Sequence, residues 1–227
     1  MSVDPSRPAV VVLDVNETLS DLSPLEDAFE GVGLGRSEVE PWFAGVLRDG
    51  FALTSVGVNP AFADIASEAL GVRLAARGTN VADVESGVRR VMDTFTSLPV
   101  HADVVPGLRA LREVGVRLVT LSNGSTGVAD GLLERAGLRD AFERLLSVED
   151  APAWKPHPAS YAHALGSCGV AASDAMLVAV HPWDVDGAAR AGLRSAWVNR
   201  RGARYPSYFT APDVEVPDLV ALADALR

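Results

Sequence analysis

The stretch Val10-Val11-Val12-Leu13, followed at once by Asp14, constrains the fold of this chain more than any other feature. A consecutive apolar run, mostly β-branched, reads as a strand buried on both faces. Such strands belong to mostly parallel sheets covered by helices on either side. In open α/β sheets, ligands lie outside the carboxyl ends of the strands, so Asp14 stands where a site belongs. A carboxylate withdrawn from water there is costly unless it is paired or hydrogen-bonded. A lone Asp serves equally well as a turn cap; the segments downstream decide between the two readings.

From about residue 100 onward the pattern alternates. Helices are expected over residues 106–113, 127–136, 158–166 and 185–191, and strands over 117–122, 145–148, 176–180 and 195–198. Gly137 is placed to cap one helix and Pro158 to open another. This alternation predicts an α/β fold with a Rossmann-like parallel sheet core. Residues 20–99 behave differently: 23–30, 39–54, 60–70 and 81–96 show helical apolar spacing with no buried strand. Trp42, Phe43, Val46 and Leu47 form one such stripe. The block interrupts the alternation immediately after the first strand. It reads as an inserted helical cap domain, residues 21–99, over a core made of 1–20 and 100–227.

Several function classes fall away on composition. A formal net charge of −10 without basic runs opposes nucleic-acid binding, yet it leaves room for a locally positive pocket and a small anionic substrate. No apolar run approaches the roughly 20 residues of a membrane span, and the N-terminus lacks a signal-peptide pattern. The single cysteine, Cys168, forms no intrachain disulfide, so a cytoplasmic location is expected. Tyr205, Tyr208 and Phe209, near Asn199-Arg200-Arg201, read as loop packing.

Four segments place polar groups just after a buried strand: Asp14 with Thr18; Ser122-Asn123-Gly124-Ser125; Lys155-Pro156-His157-Pro158; and His181-Pro182-Trp183-Asp184. Each alone has an ordinary explanation as a turn or a solvated side chain. Together, in this order, they resemble the haloacid dehalogenase superfamily over nearly the whole chain. The resemblance implies Asp14 as nucleophile, Ser122 as a ligand of the substrate's anionic group, Lys155 as the balancing charge and Asp184 as the acid of the last motif.

Phosphatases of the superfamily usually carry a second aspartate two residues after the nucleophile and another at the start of the last motif. Here those positions hold Asn16, which cannot be a general acid, and Val180, which cannot bind a hard cation. The chain is more similar to the 2-haloacid dehalogenase branch, which works without metal. Ser122-Asn123-Gly124-Ser125, Tyr161 and Trp183-Asp184 match that branch.

The implied reaction is attack of Asp14 on the halogen-bearing carbon of an L-2-haloalkanoic acid. An ester forms and is then hydrolysed by water, with Asp184 as base or orienter. Ser122 would hold the substrate carboxylate, Asn123 the departing halide, and Thr18 and Tyr161 would belong to the substrate site. A homodimer also fits the resemblance. The alternative is a magnesium-dependent phosphatase of small esters.

Three departures stand out. Trp42-Phe43 replaces the branch's usual Trp-Arg, placing Phe43 at the leaving group and making Arg48 the candidate replacement cation. Ala179 and His181 replace the serine and asparagine around the hydrolytic water. His181 then serves either as a proton acceptor or as a loop hydrogen-bonding group. Glu17 stands where glycine is common.

Overall fold

In a computed structural model, residues 7–227 are described. Six strands form one parallel sheet: β1 (Val10–Leu13), β2 (Arg117–Ser122), β3 (Arg144–Ser147), β4 (Ala175–Ala179), β5 (Arg194–Val198) and β6 (Val214–Val216), in spatial order β3-β2-β1-β4-β5-β6. The order reverses between β1 and β4, which makes the carboxyl ends of these two strands the topological switch point, where open sheets of this kind form a ligand crevice.

Alternate residues of the central strands feed two separate cores. Val10 and Val12 of β1 join one, with Val119, Leu121, Leu177 and Trp197; Val11 and Leu13 join the other, with Leu118, Met176, Val178 and Ala196. Side chains alternate across a strand, and both faces are covered. The apolar run is therefore unbroken rather than alternating. The second face is closed by α5 (Val104–Val114), α6 (Thr126–Arg135) and α9 (Leu219–Ala225). On the first face lie α7 (Pro158–Cys168) and α8 (Pro182–Arg190).

Between β1 and α5 come four helices: α1 (Pro24–Glu30), α2 (Val39–Ser55), α3 (Phe62–Ala75) and α4 (Val81–Thr96). They form the inserted helical cap. Its aromatic interior, Phe29, Trp42, Phe43, Phe62 and Phe95, runs without a break into the first core through Trp154. The chain leaves the sheet for these helices and returns at one point. Ser20 pairs with Val100 in an isolated antiparallel bridge, with Asp21 N–H donating to Pro99 O and His101 N–H to Leu19 O. Gly50 of α2 lies under Trp154, where a Cβ would sit 2.3 Å from the indole.

Beyond shifts at element ends such as α3, which runs to Ala75 where an end at residue 70 was expected, sequence and structure differ at three places. Helix α8 begins at Pro182, three residues earlier than expected, because proline is well suited to the first helical turn and His181 before it takes an extended cap conformation. That shift lifts Asp184 out of a loop and onto a helix. The other two are β6 and α9, which sequence spacing left unread. Among the described residues, no helix is long and apolar enough to cross a membrane.

Candidate active site

Asp14 follows β1 directly and continues its ladder, its N–H donating to Val178 O of β4 at 3.0 Å. The chain then turns tightly, with Leu19 N–H and Ser20 N–H both donating to Val15 O. Glu17 occupies this turn at φ 62°, the one non-glycine residue with positive φ among those described. A side chain is strained there, which accounts physically for the glycine that the position commonly carries. Thr18 closes the turn: its hydroxyl donates to Asp14 Oδ2 at 2.6 Å and accepts the Val180 N–H at 3.1 Å. Expected as a substrate-binding hydroxyl, Thr18 is instead wholly buried and bonded to the Asp14 carboxylate.

Lys155 reaches this point from the loop between β3 and α7, next to a cis Lys155–Pro156 peptide. Its ammonium donates to Asp14 Oδ1 at 2.9 Å and to Asp184 Oδ2 at 2.6 Å. All three side chains are essentially sealed from solvent, at 0–5% exposure. One cation thus serves two carboxylates, and the site carries a net negative charge.

The two acids respond in opposite directions. Burial pushes Asp14 up, but Lys155, His181 and the Thr18 hydroxyl together bring its carboxyl below the usual range. Burial and the Asp14 charge raise Asp184 despite Lys155. Burial also works against the Lys155 ammonium, and the two carboxylates overcome it, so the lysine stays charged. Neighbouring acids pushed apart in this way take different roles. Asp14 is the more acidic of the two.

Tyr161 of α7 is buried behind Asp184, donating to its Oδ1 at 2.7 Å. Expected at the substrate site, it is instead wholly buried and bonded to that acid. Burial and Asp184 raise the phenol well above its ordinary value, so it remains a donor. Gly187, one helical turn beyond Asp184, makes this contact possible: a Cβ there would lie 2.5 Å from the Tyr161 hydroxyl.

The β2 loop supplies the remaining groups. Ser122 Oγ accepts the Gly124 N–H at 2.9 Å, which leaves its own proton to donate. The Asn123 amide is engaged at both ends by one backbone residue, accepting Lys155 N–H at 3.0 Å and donating to Lys155 O at 3.2 Å. It holds the lysine loop, and the amide keeps a second N–H beyond the one given to Lys155 O.

His181 caps α8 and faces the other way. Its ring stacks between Trp183, at 5.0 Å, and Phe43, at 6.4 Å between centroids. Nε2 lies 3.5 Å from Glu17 Oε2 and 3.8 Å from Asp14 Oδ2. His181, Glu17 and Phe43 line a cavity of about 470 Å3 that runs between the cap and the loop after β5, past Glu40, Trp197 and Arg201.

Arg48 is not part of this site. Its side chain is 76% exposed and pairs with Asp49, which corrects its candidacy as a replacement cation. Sequence reasoning also missed Arg200, which binds Asp103 through two nitrogens and donates to Thr18 O, tying the loop after β5 to the Asp14 turn. No local signal marks such a contact. The aromatic loop behaves as read at Tyr205, which packs on Trp197, but not at Tyr208, which is 78% exposed and stands against Phe209. Among the described residues, no group of three or more His, Cys, Asp or Glu is arranged to hold a metal ion.

Comparison with known proteins fits this geometry. A family model described as haloacid dehalogenase-like hydrolase matches residues 8–192. Haloacetate dehalogenase H-2 of Moraxella sp. (strain B) is 36% identical over 138 residues, 61% of this chain and 62% of that protein, so the match spans less than two thirds of the relative. (S)-2-haloacid dehalogenase H-109 of Pseudomonas putida is 28% identical over 95% of this chain and 96% of its own length. The crystal structure of L-2-haloacid dehalogenase from Xanthobacter autotrophicus with chloropropionic acid covalently bound superposes with a TM-score of 0.86, at 26% identity, over 97% of this chain and 98% of that one. With the switch-point aspartate, the buried lysine and the helical cap in place, the chain belongs to the haloacid dehalogenase-like hydrolases.

Proposed function

We propose that this hydrolase cleaves the carbon–halogen bond of small 2-haloalkanoic acids of the L series, through an ester on Asp14 and without a metal ion. The observation that carries the reading is the Lys155 ammonium held between Asp14 and Asp184, at 2.9 and 2.6 Å. It keeps Asp14 anionic in a site that burial would otherwise neutralise. It also occupies both acids where a magnesium-dependent phosphatase would present them to a cation, and the oxygen of Asp184 that Lys155 leaves is taken by Tyr161.

In the first step, an Asp14 oxygen attacks C2 in line with the leaving halide, forming the C–O bond as the C–X bond breaks. Ser122, donating from the end of β2, and the backbone N–H groups of its loop would hold the substrate carboxylate. Phe43, where the branch usually has arginine, gives the halide an apolar neighbour. Water then releases the 2-hydroxy acid. The helices of residues 21–99 would act as the cap that excludes bulk water from the ester.

The relatives support the substrate class by name: a haloacetate dehalogenase and (S)-2-haloacid dehalogenases. The test is halide release from each enantiomer of 2-chloro- and 2-bromopropionate in the presence of EDTA, with Asp14→Asn as control. Release from the L enantiomer that survives chelation and vanishes in the variant is expected. Magnesium-dependent cleavage of p-nitrophenyl phosphate with no halide release would overturn the reading.

A further inference from the structure

The covalent step and the hydrolytic step need different things of the protein. Attack by Asp14 needs an ionised carboxylate. Hydrolysis needs a group that takes a proton from water while that water approaches Asp14 Cγ. Asp184 is poorly free to do so: Oδ1 accepts the Tyr161 hydroxyl, Oδ2 accepts the Lys155 ammonium, and the side chain is sealed from the cavity. His181 is placed otherwise. Its Nε2 is 3.8 Å from Asp14 Oδ2, too long for a direct hydrogen bond and short enough for one water to reach both at about 2.8 Å. Packing between Trp183 and Phe43 fixes the plane of the ring, and the ring borders the cavity.

We infer that His181 is the proton acceptor for hydrolysis of the Asp14 ester and that Glu17 is its positioning residue. The water oxygen bonds to Asp14 Cγ as its proton passes to His181 Nε2. The Cγ–O bond to the substrate carbon then breaks, and the departing alkoxide takes that proton to become the 2-hydroxy acid. Asp14 is regenerated with one oxygen drawn from water, and the second proton of that water leaves the new carboxyl for solvent in the cavity, restoring the carboxylate. Glu17 Oε2, 3.5 Å from the same Nε2, stabilises the imidazolium formed in between.

Glu17 also explains itself on this reading. A side chain strained at φ 62° beside the nucleophile is retained where it has work at the site. The charges bearing on the pair are Asp14 and Glu17 from the turn after β1, Glu40 from α2, Arg201 from the loop after β5, and Lys155 behind Asp14. Burial raises the Glu17 carboxyl while His181 opposes the rise.

This inference rests on the dehalogenase reading, and one experiment separates the two. L-2-chloropropionate is mixed rapidly with enzyme; chloride release and the Asp14 adduct, measured by intact mass after acid quench, are followed over time from pH 6 to 9. His181→Gln is expected to release chloride in a burst equal to the enzyme and to accumulate the adduct. Its hydrolysis should slow about 100-fold, the usual contribution of a general base, and lose the rise with pH expected of the parent. Accumulation of the adduct itself reports a folded site. Glu17→Gln should shift that rise to lower pH, because the carboxylate favouring the imidazolium is gone; a purely structural role would leave the midpoint unmoved. Adduct hydrolysis indifferent to His181→Gln, or a chloride burst slowed as much as hydrolysis, would overturn the inference alone. No adduct and no chloride from the parent enzyme would overturn both it and the dehalogenase reading.

Discussion

Replacing Lys155 with methionine removes the charge from the centre of the site while keeping a long side chain to fill the space. Asp14 and Asp184, previously 2.9 and 2.6 Å from one ammonium, are left as two acids in one buried volume. Removing one member of a buried ion pair costs about 3–5 kcal/mol. The loss depends on pH, and its sign follows from the shifts. In the parent, the Asp14 carboxyl lies below its ordinary value. Its contribution to stability is present above the unfolded pKa and is lost as the pH falls through the folded one. Without Lys155, burial dominates and both carboxyls rise. Their contribution is then present below the unfolded pKa and lost as the pH climbs through the folded one.

Urea unfolding at several values between pH 4 and pH 8 should therefore show the gap between parent and Lys155→Met widening toward higher pH. The nucleophile follows the same titration. The rate of Asp14 alkylation in the variant should climb about tenfold per pH unit until the acid is ionised, while the parent is flat over that range. A stability gap constant with pH, together with alkylation at the parental rate at pH 7, would show that Asp14 does not depend on this cation.

Arg48→Ala should leave the unfolding midpoint and the rate of halide release where they were, since the guanidinium is exposed and touches only Asp49; a large loss of activity would return Arg48 to the site. Gly187→Ala should lower stability by about 1–3 kcal/mol through overpacking and slow turnover. Its Cβ would meet the Tyr161 hydroxyl at 2.5 Å and Pro156 Cβ at 2.6 Å, and the check is urea unfolding with steady-state kinetics. Glu17→Gly should be more stable than Glu17→Ala by about 1 kcal/mol, because only glycine takes φ 62° without strain; equal midpoints would mean that the turn relaxes.

How much of this was legible beforehand follows from what each residue interacts with. Asp14, Lys155 and Asp184 could be read because a charged residue at the end of a buried strand or in a stiff loop has few structural reasons to be there. The sheet could be read because its central strands are short apolar runs between turn residues. Strand β6 escaped because it has three residues with an exposed Glu215 in the middle, at the edge of the sheet. The roles of Tyr161 and Asn123 escaped because their partners, Asp184 and Lys155, are 23 and 32 residues away in sequence. Spacing indicates that a polar group is near the site without saying which way it points. Arg48 is a different case. It lies five residues from Phe43, about 140° around an ideal helix, off the stripe of Trp42, Phe43, Val46 and Leu47 that α2 buries. Helical geometry alone was sufficient to turn it toward solvent.

The departures from the haloacid dehalogenase pattern are not scattered. Asp14, Thr18, Lys155, Tyr161 and Asp184 form a closed hydrogen-bonded group at the end of the sheet, each buried and each with its partners supplied by the fold. Glu17, Phe43 and His181 lie together along the cavity, with His181 Nε2 3.8 Å from Asp14 Oδ2. Substituting a member of the closed group strands a charge or a donor in a low-dielectric interior, a penalty of several kcal/mol. On the cavity side Glu17 and His181 border open space and the buried Phe43 lines it, so the effect of a change there falls on the leaving group and the water. Leaving-group preference can therefore change at the uncharged Phe43, whereas His181, one of the groups that lower the Asp14 carboxyl, stays tied to its ionisation. On that division, a single exchange such as Phe43→Arg should alter the ratio of bromide to chloride release while leaving the pH dependence of Asp14 alkylation unchanged. A shift in that pH dependence would mean that position 43, as well as His181, bears on the Asp14 charge.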